Sequence, residues 1–164
     1  MKLVKLFLIS VVVLFLLLTA ISALIPSTVR ISRAIDIHAS EEIIHSQLDS
    51  LGKWERWNAF VMNMKTKQSF HDRILGERLQ VRLVRRTNAD IVTSWKEANK
   101  DKTFTGGFHL IPHGSVVTVQ WYFDFTFDWY PWEKFSSIVY DAQVGPAMQE
   151  SLNNLKKISE QTGQ

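Results

Sequence analysis

Apolar residues recur at every second position from Ser69 to Phe127, and at helical spacing from Trp132 to Gln161. This change of period near Pro131 constrains the fold more than any other feature. A period of two sets side chains on alternate faces of a strand, whereas helical spacing gathers them into one stripe. Strands are expected at Arg78–Arg86, Ala89–Glu97, Thr103–His113 and Ser115–Phe127, with a short one around Ser69–Ile74. Thr87-Asn88, Ala98–Lys102 and Pro112-His113-Gly114 supply turns short enough to make the sheet an antiparallel meander. The helix that follows is expected to bury Phe135, Ile138, Val139, Ala142, Met148, Leu152, Leu155 and Ile158 along one face, with a kink or a break at Gly145-Pro146.

The chain before this sheet reads as a strand and a helix. Val29, Ile31, Ile35 and Ile37 alternate on one face together with Arg33. Ser40 is placed as an N-cap, with Glu41 and Glu42 in the first turn, where the helix end is positive. Ile43, Ile44, Leu48 and Leu51 have helical spacing, and Gly52 is expected to stop that helix. Trp54, Trp57 and Phe60 follow in a short helical turn. The economical way to bury the C-terminal stripe is an α+β fold, a curved antiparallel sheet wrapped around the long helix.

Ahead of this lies an uncharged stretch between Lys5 and Arg30, apolar from Leu6 to Ile25 and ended by Pro26 and Ser27. It meets the requirement of about 20 apolar residues for a membrane-spanning helix. A retained anchor is preferred to a cleaved signal peptide, because the run exceeds the usual hydrophobic region of roughly 7–15 residues. Residues 1–28 are therefore assigned to an anchor and short linker, and 29–164 to one domain. Lys2, Lys5 and the α-amine precede the run, and Arg30 and Arg33 follow it. This small difference favours a single-pass protein of the cell (inner) membrane, with the domain on the periplasmic or extracellular side.

A pI near 9.2 invites a nucleic-acid reading. From Pro26 onward, however, 17 of the 19 basic residues face 16 acidic ones, and Arg82, Arg85 and Arg86 alternate between strand faces. No basic stripe results, and no nucleic-acid partner is expected. The absence of Cys excludes disulfides, thiolate metal sites and a cysteine nucleophile. His109 and His113 have Pro112 between them on a strand and complete no metal motif. Asp124 and Asp128 are expected on the solvent side, and no phosphate loop or nucleophile elbow occurs. No cofactor, metal or catalytic residue is assigned.

The segments PSTVRISRAIDIHASEEIIHSQLDSLGKWERWNAF and WYPWEKFSSIVYDAQVGPAMQESLNNLKKI together resemble the START-related helix-grip superfamily, also called SRPBCC or polyketide cyclase/dehydrase-like. The resemblance is strongest to bacterial members with an N-terminal membrane segment. It implies a helix-grip fold with an apolar cavity between sheet and C-terminal helix, and no particular reaction. Met62–Arg78 is short for the pattern, so one strand is expected to be missing or reduced.

Twelve per cent of the residues are aromatic, six of them Trp. Cavity-lining candidates are Trp54, Trp57, Trp95, Phe108, Trp121, Phe123, Phe125, Phe135 and Val139, against the plainer reading of each ring as core. The expected partner is a hydrophobic or amphipathic small molecule, such as a lipid. The alternatives are a cyclase- or hydratase-like enzyme using the same cavity, with His109 the best titratable candidate, and a structural or partner-binding membrane module. Trp129-Tyr130-Pro131-Trp132 carries a separate reading as an interfacial membrane contact, since Trp and Tyr favour that boundary.

Overall fold

A computed structural model describes residues 2–97 and 102–162. Helix α1 (Lys2–Ala23) leads into strand β1 (Thr28–Ile37) and helix α2 (Glu41–Leu48). A 3-10 turn (Leu51–Arg56) and the short helix α3 (Ala59–Met62) follow. Six strands come next: β2 (Lys67–Ser69), β3 (Arg73–Gly76), β4 (Leu79–Arg86), β5 (Asp90–Glu97), β6 (Thr103–His113) and β7 (Val116–Thr126). Helix α4 (Pro131–Thr162) is the last described element. All seven strands form one antiparallel sheet in the order β1-β7-β6-β5-β4-β3-β2. The first strand thus pairs with the last, and α4 packs chiefly over β1.

Several local expectations stand in altered form. The shortened stretch after Met62 holds two short strands, β2 of three residues and β3 of four, in keeping with the reduction expected there. Ser40 caps α2, its Oγ accepting from the Ile43 amide. That helix ends at Leu48, and Gly52 lies inside the 3-10 turn. Strand β6 runs on through Pro112 to His113, which pairs with Val116. The reversal falls on Gly114 and Ser115, and Gly114 takes φ +65°, a conformation costly for residues with a Cβ. The turn expected at Ala98–Lys102 lies, apart from Lys102, outside the described residues.

The sheet interior is aromatic. Trp54, Trp57, Trp95, Phe108 and Trp121 are fully buried and Phe123 nearly so. Phe108 stacks on Trp121 at 5.0 Å, Trp95 meets Phe123 edge-on at 5.0 Å, and Trp54 packs on Trp57 at 5.2 Å. Each such pair adds about 0.5–1.5 kcal/mol beyond the apolar area it buries. Three of the four buried indoles find partners: Trp54 Nε1 donates to the Leu48 carbonyl, Trp57 Nε1 to the Gln47 carbonyl, and Trp95 Nε1 to Thr93 Oγ1, which donates onward to the Gly106 carbonyl, whereas the buried Trp121 Nε1 has none among the described residues. Gly106 leaves room for the rings. A Cβ there would lie 2.6 Å from the Phe123 ring and 2.7 Å from Trp95 Nε1.

Helix α4 runs through Pro146 without a break, one of the two outcomes expected there. Ala142, whose carbonyl loses its usual donor there, is exposed, so water can serve instead. The first half of the helix is turned relative to the expected stripe. Pro131, Lys134, Ser137 and Gly145 are buried, while Ile138 is 66% exposed and Val139 49%. The reason lies on β1: Arg33 points inward, pairs with Asp141 at 2.8 Å and lies over Gly145, where a Cβ would collide with its guanidinium. A cation on the sheet face thus selects the polar stripe of that half-helix, and the apolar stripe turns outward. From Met148 on, Met148, Leu152 and Leu155 are fully buried, as the spacing predicts.

Gly106→Ala is expected to destabilise the domain by about 1–3 kcal/mol through overpacking. A urea titration followed by near-ultraviolet circular dichroism measures this, since the rings displaced are the ones observed.

Candidate ligand-binding cleft

The nine candidate residues do not come together around one cavity. Trp54, Trp57, Trp95, Phe108, Trp121 and Phe123 pack against one another in the core. Phe135 is half-buried in the first half of α4. Val139 lies on the outward side of that helix, a correction to its expected place on the sheet-facing stripe. Phe125 is the candidate that reaches open space. It helps to line a cleft of about 480 Å³ between the ends of β5, β6 and β7 and the first turns of α4. That volume is in the range of small-molecule sites, roughly 300–1,000 Å³.

The cleft has apolar walls and a charged lip. Phe104 and Phe125 lie 4.8 Å apart, and Tyr140 from α4 meets Phe125 at 5.0 Å and Phe127 at 5.1 Å, both edge-on. Alternation along β6 and β7 sends Phe104, Phe125 and Phe127 to the same side as Trp121. The chain narrows from indoles at the sheet centre to phenyl rings at its end, and the interior opens there. Ser136 completes the helix wall. At the lip, Lys102 Nζ bridges Asp128 at 2.8 Å and Glu133 at 2.8 Å, and the Asp128 amide donates to Glu133 Oε2. These contacts tie the end of β7 to the first turn of α4. Lys102 and Glu133 carry no signature in the sequence, because the residues that meet come from three separate segments.

The same contacts perturb titration. Hydrogen bonds from Lys102 and then from the Asp128 amide hold Glu133 below the ordinary carboxylate range. Hydrogen bonds to Asp128 and then Glu133 hold Lys102 above the ordinary lysine range. Glu133 therefore supports the latch above its unfolded range and loses that support as pH falls through its depressed one. Lys102 supports it below its own unfolded range and loses that as pH rises through its raised one.

The remaining polar candidates are elsewhere. His109 is on the sheet face opposite α4, paired with Asp90 and stacked on Tyr122 at 5.1 Å. Its expected role as an inward-facing group in the cavity is thereby corrected: it follows Phe108 on β6, so alternation turns it outward. Asp124, on the same outer face, forms a two-point pair with Arg30 at 2.7 Å, and Arg30 lies 4.2 Å over the Tyr122 ring. Both Asp124 and Asp128 thus face solvent, paired to cations. No group of three or more metal-ligating side chains occurs among the described residues.

The cleft lies near the end of α1. The Phe127 amide donates to the Ser27 carbonyl, and Lys134 Nζ donates to the Ile25 carbonyl at 2.9 Å and to Ser27 Oγ at 2.7 Å. Helix α1 is long and apolar enough to cross a membrane, about 33 Å at 1.5 Å per residue.

Lowering pH through the depressed range of Glu133 is expected to release the Asp128 amide. Its proton resonance, followed by NMR against pH, is expected to shift in an acid transition that Glu133→Gln abolishes.

The fold has many solved counterparts. A Chromobacterium violaceum protein is 14% identical, with a TM-score of 0.56 over 82% of this chain and 99% of its own. A START superfamily protein from Mycobacterium smegmatis is 17% identical, with a TM-score of 0.52 over 82% of this chain and 96% of its own. The di-domain ARO/CYC BexL is 11% identical, with a TM-score of 0.61 over 82% of this chain and 50% of its own. No curated protein matches in sequence. Residues 28–160, the sheet and nearly all of α4, match the family described as polyketide cyclase/dehydrase and lipid transport. With strands, grip helix and family match all spanning the same residues, this chain belongs to that family, on a helix-grip fold of the START/SRPBCC superfamily.

Proposed function

We propose that the protein is a membrane-tethered binder of a hydrophobic or amphipathic, lipid-like small molecule, held in the cleft between β6, β7 and the first half of α4. The observation that carries this reading is the cleft itself: three phenyl rings and a tyrosine form an apolar wall, and Lys102 and Glu133 form a charged lip. An apolar tail against the rings and a polar end at the lip is the pose such a lining favours. The family description, which includes lipid transport, supports the same class.

Residues 1–28 serve as a retained anchor and linker, and 29–164 as the binding domain. Helix α1 is exposed along nearly its whole length, as expected of a segment whose surroundings are lipid. The placement is a single pass in the cell (inner) membrane, with the domain on the periplasmic or extracellular side, supported by Lys2 and Lys5 ahead of the span.

Titration of the full-length chain with a fluorescent long-chain fatty acid tests the site. Ser136→Trp, which fills the cleft from the helix wall, is expected to weaken binding by about tenfold or more. His109→Ala, on the opposite sheet face, is expected to leave binding unchanged. Equal affinity of the wild type and Ser136→Trp, both with native circular dichroism, would remove the cleft as the site.

A further inference from the structure

The first half of α4 has its apolar side outward. Trp132, Phe135, Ile138, Val139 and Ala142 follow one another at helical spacing, on the side flanking the buried Lys134, Ser137 and Gly145. Trp132 is 63% exposed, Ile138 66% and Val139 49%, and Trp129, just ahead of the helix, is 64% exposed. Trp129, Tyr130 and Trp132 form a continuous ring stack, with centroids 4.7 and 4.9 Å apart. No charged residue falls on the stripe from Trp132 to Ala142. A contiguous apolar surface of this kind on a folded domain marks a contact with something apolar.

The position of the stripe identifies what that is. Ser22, in the last turn of α1, donates its Oγ to the Trp129 carbonyl at 3.4 Å and is buried by the contact. Lys134 binds the Ile25 carbonyl and Ser27 Oγ from the other side of the same joint. The aromatic stack is therefore fixed to the point where the apolar helix ends. Trp and Tyr concentrate at this level of a bilayer, where the ring body is apolar and the ring edge is wet.

We infer that Trp129, Tyr130, Trp132, Ile138 and Val139 dock the first half of α4 into the interface of the membrane that α1 crosses, as an in-plane amphipathic segment. This rests on the tethered reading of α1 given above. Tyr140 and Ser136, on the same half-helix, line the cleft, so docking brings the cleft close to the lipid surface.

The full-length chain, reconstituted in phosphatidylcholine vesicles, tests this inference by tryptophan quenching with lipid brominated near the headgroup end of its acyl chains. The other four Trp are fully buried in the domain core, so quenching reports Trp129 and Trp132. Strong quenching is expected in the wild type, with loss of it in Trp129→Phe/Trp132→Phe and a marked reduction in Ile138→Asp/Val139→Asp. Vesicle flotation of the same samples separates the two readings. A chain that floats with its vesicles but shows no more quenching than the double Phe variant overturns the docking face, whether its rings are open to aqueous acrylamide or covered by a second protein copy. A chain that does not float overturns the tether, and the docking face with it.

Discussion

The sheet interior is filled by rings, and the position of every other part follows from that. Trp54 and Trp57 come up from the 3-10 turn and its end, meeting Trp95, Phe108 and Trp121 from three strands, while Phe60 on α3 meets Phe123. A close-packed interior admits such volume only where the backbone yields space, and Gly106 on β6 yields it. Between sheet and α4, open space lies at the end, where the rings shrink to Phe104, Phe125 and Phe127.

The second constraint is electrostatic. Arg33 sits in the middle of an otherwise apolar strand face, and an inward charge needs a partner. Asp141 supplies it, and Gly145 lets the guanidinium pass close to the helix. Side-chain exposures of 30% and 59% make this a screened pair of small energetic weight. Its larger effect is on rotation: it fixes which stripe of α4 meets β1. Below Gly145 the stripe is Met148, Leu152 and Leu155, whereas above it is Lys134 and Ser137, and the helix changes character at Pro146.

These two constraints produce one functional arrangement. The rings push open space toward the first half of α4, and Arg33 turns the apolar side of that half-helix away from the sheet. The buried Lys134 then ties it to the chain leaving α1. Cleft, aromatic stack and apolar helix end consequently share one end of the molecule. The outer sheet face, with Arg30, Asp124, Tyr122, His109 and Asp90 in cross-strand contact, is a ladder of paired surface groups.

The sequence by itself determined the α+β order, the antiparallel meander, the Ser40 cap, the apolar N-terminal helix and the long C-terminal helix, because each rests on a local period or a local hydrogen bond. It also marked the residues of the aromatic core. Only the tertiary structure decided that those rings fill the interior rather than line it, since periodicity assigns a side chain to a face but says nothing of the volume left between faces. The cleft lip was equally hidden, because Lys102, Asp128 and Glu133 meet only after β6, β7 and α4 are in place. So was the rotation of α4: its apolar stripe was legible, but one inward-facing arginine on a distant strand decided which way that stripe would turn.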